Sequence, residues 1–509
     1  VKVLSSVEQN IRSLCKYFFF SVTLPFFQFS SFSVSGLVLP LTLLLVVMEG
    51  CGGRFSHYDK LYTSLHQGDS EKAVQVIAEA KARYGSTSHL LYLMDRGMTL
   101  HLASRYEESA NYLEKAHEYV EELYTRYLRQ EALSVLVNDT QRPFRGDPYE
   151  QVLINVINAL NYARLGNLEE ALVEARRIDH RLNVLADTVE EDDYQEDPFA
   201  RYLTGVLYEA NGDLSNAFVA YRKAYEGYRQ TRSWSEVPIP DRVKKDLLRM
   251  TKRLNLENEH QGYLQAFPEI AWEPRSPNGH ADVVVVSYHG RAPRLEDRII
   301  DVPVSLDALA LVLHTKQLGG AHPQRAGGMD AVLYGLQGQI VRVSLPRVVP
   351  QKTRIEYGKV TVVHKGNNAA YHTELMTSIT AAAKKNLSDR LPRVTLRAVA
   401  RAALKMSVAE GIGYGLGAVA KDEETRNLIQ ALVSALLKVL VITTEEADKR
   451  NWRTLPDEMH VSRISVPPGS ITLKYQFLGK HGEFIGNPVE HSLALQAGET
   501  RFLTFYAAE

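Results

Sequence analysis

The chain has 509 residues, 45% of them apolar and 23% charged, the make-up of packed globular domains, two to four of them at about 100–200 residues each. Lys and Arg number 59 against 60 Asp and Glu, a formal net charge of −1, so no overall field draws the chain to nucleic acid or to an anionic membrane surface. Both cysteines, Cys15 and Cys51, lie in the first tenth of the chain, which excludes a zinc ribbon, an iron–sulfur site or a disulfide-braced body.

The first predicted element is a targeting segment. Residues 17–48 carry no ionisable side chain except Tyr17 and end in the apolar run Gly36 to Met48. The densest part has the length of a signal-peptide hydrophobic region, and Lys2, Arg12 and Lys16 supply the positive end that stays cytoplasmic. Next come Met48-Glu49-Gly50-Cys51-Gly52-Gly53. This resembles the lipobox of bacterial lipoprotein signal peptides, with Gly50 as the small residue before the cysteine. The resemblance implies that residues 1–50 are removed and that Cys51 is acylated and becomes the new N-terminus. Gly52, in place of Asp, implies an outer-membrane lipoprotein facing the periplasm. An uncleaved N-terminal helix anchored in the inner membrane is the alternative.

From Arg54 to about Leu256 apolar and small residues recur three and four apart, with breaks at Gly or Asn-Gly, the pattern of paired helices. Turn positions at Gly68, Ser104, Gly166 and Gly212 are each followed at +5, +9 and +12 by equivalent residues. These are Ala73, Ile77 and Ala80; Ser109, Leu113 and Ala116; Ala171, Ala175 and Ile178; Ala217, Tyr221 and Ala224. Upstream, Gly97 and Leu100, Ala159 and Tyr162, and Gly205 and Tyr208 stand seven and four residues before their turns. Small residues there let two antiparallel helices approach. The pattern resembles the tetratricopeptide repeat (TPR), most closely over 202–224, though the turns are unevenly spaced against a nominal repeat of about 34. Stacked pairs form a solenoid whose groove holds a peptide or partner helix, and the tyrosines not needed for packing are expected to line it. The link Arg145-Gly146-Asp147-Pro148 and the acidic run Glu190 to Asp197 read as solvated connections.

Residues 257–280, with Pro268, Pro274 and Pro277, read as a linker. Strands follow at Asp282–His289, Gln339–Leu345 and Arg354–Val363, then at Met459–Val466, Ser470–Leu478 and Thr500–Ala507. They suggest a β-sandwich-like domain, β-rich over 281–365 and 451–509, with a helical insertion at 366–450. In the insertion, Ala369–Asn386 and Val394–Glu410 are expected as helices, with Arg393, Arg397, Arg401 and Lys405 on a solvated face. Gly411 to Ala420 is expected as a buried glycine-rich contact or loop, and Leu318 to Met329 as a flexible loop.

The fold class expected is therefore α+β multidomain, a TPR-like α-solenoid at 51–256 followed by the β-rich domain. The whole resembles a group of bacterial lipoproteins with N-terminal TPR repeats and a β-rich C-terminal region. That resemblance rests on Cys51 with its glycines, the repeat in 202–224, Ala292-Pro293-Arg294, and Glu446 to Pro456 leading into Val466 to Gly469. No Gly-x-Ser-x-Gly, His-Glu-x-x-His, Walker A or dinucleotide fingerprint occurs, and His280 with His289, or His314 with His322, lack metal spacing. No cofactor, metal or catalytic residue is expected. The function expected is a lipid-anchored cell-envelope scaffold whose repeats bind envelope proteins of an assembly, secretion or wall-synthesis machine. The alternative is an enzyme acting on cell wall or polysaccharide, with its site in the β-rich domain.

Overall fold

All four expected turns close in the same way. Gly68, Ser104, Gly166 and Gly212 take left-handed φ values of 74°, 60°, 76° and 83°. The next amide reaches back across each turn, Asp69 to the Ser64 carbonyl, Arg105 to Leu100, Asn167 to Tyr162 and Asp213 to Tyr208, each at 2.9 Å. This bond satisfies a carbonyl that a helix end leaves bare. In the computed structural model, which describes residues 56–130, 139–188, 196–271, 279–318, 336–417, 423 and 446–509, the first turn joins α1 (His57–His66) to α2 (Ser70–Glu79), and a short α3 (Lys81–Tyr84) follows. The other turns join α4 (His89–Leu102) to α5 (Tyr106–Gln130), α6 (Pro148–Leu165) to α7 (Leu168–Thr188), and α8 (Pro198–Ala210) to α9 (Leu214–Ser235).

Helix starts use capping carboxylates. Asp69, Asp197 and Asp213 accept the amides of Lys72, Ala200 and Asn216, and the Glu150 carboxylate accepts the Asp147 amide at 2.7 Å. Asp147-Pro148 and Asp197-Pro198, expected at the ends of solvated connections, are helix starts, with proline in the first turn.

A fifth pair extends the array into the stretch expected as linker: α10 (Asp241–Arg253) and α11 (Glu257–Ala266). Its turn residue Asn255 has φ 55°, and the Leu256 amide reaches the Thr251 carbonyl at 2.9 Å. At +5 and +12 from Asn255 stand His260 and Phe267, both buried. The pair escapes the sequence pattern because those positions are large.

The β region holds β1 (Ala281–His289), β2 (Arg294–Pro303), α12 (Leu306–Leu318), β3 (Ile340–Val349), β4 (Ile355–His364), β5 (Asn367–His372) and β6 (Glu374–Ser378). After the long α13 (Ile379–Gly417) come β7 (Glu458–Val466), β8 (Gly469–Gly479), β9 (Phe484–Leu495) and β10 (Thr500–Ala507). One four-stranded sheet has the order β10-β1-β7-β6, a second β5-β4-β8-β9, and β2 pairs with β3 alone. β1 lies parallel to β10 and antiparallel to β7.

The expected helix Ala369–Asn386 is corrected. Lys365 and Gly366, with φ 48° and 82°, make a two-residue hairpin turn from β4 into β5, β6 follows, and the helix begins only at Ile379. It then runs through Pro392 to Gly417, taking in Val394–Glu410 and the first part of the expected glycine loop. Leu428–Ile442, residues 319–329 and residues 190–195 lie outside the described residues. No helix among the described residues is long and apolar enough to cross a membrane.

Burial explains the unbroken valine run of β1. Val283 and Val285 enter one hydrophobic core with Ile464 and Leu503 of the same sheet and Leu473 and Tyr475 of the second sheet. Val284, Val286 and Tyr288 enter another, with Val461, Phe502 and Met376 and the repeat helices. The first sheet is thus covered on both faces, which favours apolar residues on both, as at Val283 to Val286. A third core joins β2, β3 and α12 to the middle of α13 through Val343, Leu309, Ala398 and Ala402. Phe55–Glu509 forms one compact unit.

Candidate functional site

The repeat positions singled out in the sequence form the seams within helix pairs. Ala73, Ala80, Ala116, Ala159, Ala171, Ala217, Tyr221 and Ala224 are buried, and Tyr208 is half-buried. At Gly97 an added Cβ would stand 2.5 Å from Leu113 Cδ2, and at Gly205 2.6 Å from the Tyr221 ring. Both glycines make room for the large residue at +9 on the opposing helix; where Ala159 takes the glycine's place, the +9 residue is Ala175. At Gly68, Gly166 and Gly212 no atom lies within 4 Å of an added Cβ, so those glycines serve backbone conformation alone. Cys51 lies outside the described residues.

The first helices of the five pairs described, α1, α4, α6, α8 and α10, share one face, and this face is occupied by the chain's own later residues. A strap of irregular backbone, residues 447–457 with a turn at Arg453 and Thr454, leads into β7 along it. The Tyr62 hydroxyl donates to the Arg453 carbonyl at 2.8 Å, the Trp452 amide donates to the Glu150 carboxylate, and the Thr454 hydroxyl donates to Asp95 at 2.9 Å. Tyr84 also donates to Asp95, at 2.7 Å, as does Tyr58. Trp452 is 1% exposed. The Arg453 guanidinium lies 4.4 Å from the Tyr58 ring centre, and Arg450 donates to the carbonyls of Thr87, Arg142 and Asp139 at 2.8, 3.0 and 2.8 Å. Burial lifts Asp95 to about 6, against the pull of its three hydroxyl donors. Burial and the neighbouring Asp147 lift Glu150 as well.

Beyond the strap the same face meets the first sheet. His101 bonds Asn161 at 2.7 Å through Nδ1 and the Tyr288 hydroxyl at 3.0 Å through Nε2. Burial lowers its pKa to about 4, so the imidazole is held neutral. Arg164 donates to the Phe502 carbonyl at 2.6 Å, and from α9, the second helix of its pair, Tyr228 donates to that of Met376 at 2.8 Å. At the far end Arg463 of β7 is buried among carboxylates, 2.7 Å from Glu209 and 2.6 Å from Asp282. Arg249 bonds both Glu209 and Asp246, at 2.7 and 2.8 Å, and Arg242 bonds Asp246 at 3.1 Å. Burial alone would raise Glu209, but Arg463 and Arg249 hold it well below the usual carboxylate range. Such a cluster fixes how β7 meets the array, because each charge needs its partner once water is gone. The Tyr58, Tyr62 and Tyr202 hydroxyls of this face donate to Asp95, the Arg453 carbonyl and Asp246 of the chain itself.

The structure does not bring His280 to His289; His280 is exposed. It brings His289 to His460, their rings stacked 3.9 Å apart. The register of β1 and β7 pairs Ser287 with His460 and His289 with Glu458, which places four polar residues on one face beyond Val283 and Val285. Among the described residues His289, Glu458 and His460 are the group whose donor atoms, all within 4.8 Å of one another, could hold a divalent metal. Hydrogen bonds of 2.9 Å, Ser287 to His289 and His460 to Glu458, already tie the group together. No local signal shows this pairing, since it spans the insertion.

No family model matches the chain, and no curated protein does. Solved structures similar to it include MamA, 14% identical over 41% of this chain and 91% of that one, with a TM-score of 0.26. A putative kinesin light chain with nearly identical TPR-like repeats from Podosopora anserina is 16% identical over 42% and 92%, at 0.29. The apo form of RapI is 10% identical over 80% and 81%, at 0.30. The assignment of TPR-like helical repeats therefore rests on the turns and seams described above.

Proposed function

We propose that the protein is a protein-binding scaffold of a bacterial cell envelope, held at the outer membrane by lipid on Cys51 and facing the periplasm. The observation that carries the binding part is the strap. The repeat face grips a segment without helix or strand structure by hydrogen bonds to its backbone and by one deeply buried aromatic side chain, the manner in which a groove holds a peptide. A partner segment of the same kind, an irregular stretch with an aromatic anchor and arginines on both sides of it, would compete with residues 450–454 for these positions. Photocrosslinking in intact cells from a residue at the rim of this face, in wild type and in Trp452→Ala, tests the reading. Loosening the strap is expected to increase capture of envelope proteins. Capture that Trp452→Ala leaves unchanged would remove the groove from the proposal.

Support for the location comes from Cys51-Gly52-Gly53 and the apolar run before it. Metabolic labelling with a lipid precursor is expected to mark the wild type and spare Cys51→Ala; equal label on both would refute the anchor. An uncleaved inner-membrane helix is the second reading of the same segment.

A further inference from the structure

The stripe Arg393, Arg397, Arg401 and Lys405, expected as a solvated face, is solvated only in part: Arg393 is exposed and Arg397 and Lys405 are half-buried, while the three arginines line a cavity. With Arg390 they form one wall of this cavity, of about 270 Å³, and Arg401 is buried. Arg142 and Arg145, from the link before α6, and Arg450, from the strap, form the other walls, so seven arginines meet four carboxylates. Each carboxylate is already engaged. Asp147 bonds Arg390 at 2.6 Å and Asp448 bonds Arg450 at 2.6 Å. Asp139 lies 3.5 Å from Arg401 and 3.7 Å from Arg142, and Glu446 2.7 Å from Lys449.

The positive charge is left in excess, and part of it is bare. Arg142 Nε and Nη2 and Arg390 Nε are buried without a hydrogen-bond partner. Burial weakens Arg142's hold on its proton; Asp139 opposes this, and Arg397, Arg145 and Arg401 add to it. A desolvated guanidinium with unmet N–H groups beside like charges is costly unless an anion joins it.

We propose that this cavity binds a phosphate group, as a diphosphate or a phosphomonoester with a small substituent. Planar guanidinium forks arriving from three chain segments suit a tetrahedral oxyanion with several oxygens better than a carboxylate with two. The volume exceeds a lone phosphate and lies just below the roughly 300–1,000 Å³ of pockets for drug-sized ligands. A lipid headgroup and a soluble ester share this chemistry.

Calorimetric titration of the full chain in detergent with pyrophosphate tests the proposal, with Arg397→Gln and Arg142→Gln as variants. Among the described residues Arg397 makes no hydrogen bond or ion pair, so its replacement leaves the fold intact, which thermal melting without ligand verifies. Saturable binding by the wild type, weakened about tenfold or more in both variants, is expected. Flotation with phosphatidic acid vesicles, against phosphatidylcholine vesicles, separates the sources. Vesicle binding that Arg397→Gln loses assigns a lipid headgroup, and pyrophosphate binding without vesicle binding assigns a soluble ester. The proposal is overturned if the wild type binds neither pyrophosphate nor phosphatidic acid vesicles, or if Arg397→Gln binds them undiminished.

Discussion

Glycines of the repeats do two different jobs, and substitution separates them. Gly205→Ala drives a methyl group into the Tyr221 ring, and Tyr221 in turn bonds Glu209 and Arg463; a loss of about 1–3 kcal/mol in urea unfolding is expected. Gly212→Ala meets no atom and loses only about 1–2 kcal/mol to its left-handed backbone. Asn should rescue position 212, since it tolerates that conformation, and fail at 205. Ser104 already bears a side chain at the equivalent turn, φ 60°, so Ser104→Gly is expected to raise stability by about 0.5–1 kcal/mol. Asp95 gives a pH test. Its folded pKa, about 6, lies above the ordinary 3.8, so its contribution is complete below pH 4 and is lost as pH rises through 6. Relative to Asp95→Asn, which cannot ionise, the wild type should lose on the order of 3 kcal/mol between pH 4 and 7. Parallel urea midpoints that show no such divergence would refute the assignment.

Elements were legible where one physical pattern dominated. Helix pairs with a small residue after the turn showed themselves, and so did β1, whose valines answer to burial on two faces. The fifth pair did not, because His260 stands where the others have Ala or Ser, and Phe267 where three of the other four have Ala. β2 and β9 were missed for a different reason. β2 faces β3 through exposed ion pairs directly across the ladder, Asp301 with Arg342 at 2.8 Å and Glu296 with Arg347 at 2.8 Å, and its charged residues read as polar loop. β9 is an edge strand, mostly exposed and carrying Gly486 and Pro488, residues that edges tolerate. The candidate site was legible only in half: the repeats announced a groove, but its occupant lies more than 200 residues away in sequence. That occupant makes Arg463 decisive. Arg463→Met leaves Asp282 without its 2.6 Å partner and Glu209 with one arginine fewer, and a loss of about 3–5 kcal/mol in chemical unfolding is expected. A loss below about 1 kcal/mol would mean that the cluster does not hold β7 to the array.

For the whole molecule the repeats and the first sheet are one structure, since a single hydrophobic cluster runs from Tyr58 through Trp452 and Val284 to Phe502. A fragment of residues 56–271 would expose this face to water. It is expected to bind a hydrophobic dye and to self-associate in gel filtration, whereas residues 56–509 do neither; a monomeric, cooperatively melting fragment would show the array to be self-sufficient. The parallel pairing of β1 with β10 carries a consequence for synthesis. Asp282 and Thr500 are partners, so the strand at the centre of the sheet waits for a neighbour made some two hundred residues later. Until it arrives, two apolar surfaces stand open at once, the valines of β1 and the helix face they seal. So distant a partnership slows folding and lengthens the time during which a newly made chain depends on a chaperone to keep those surfaces apart from other molecules.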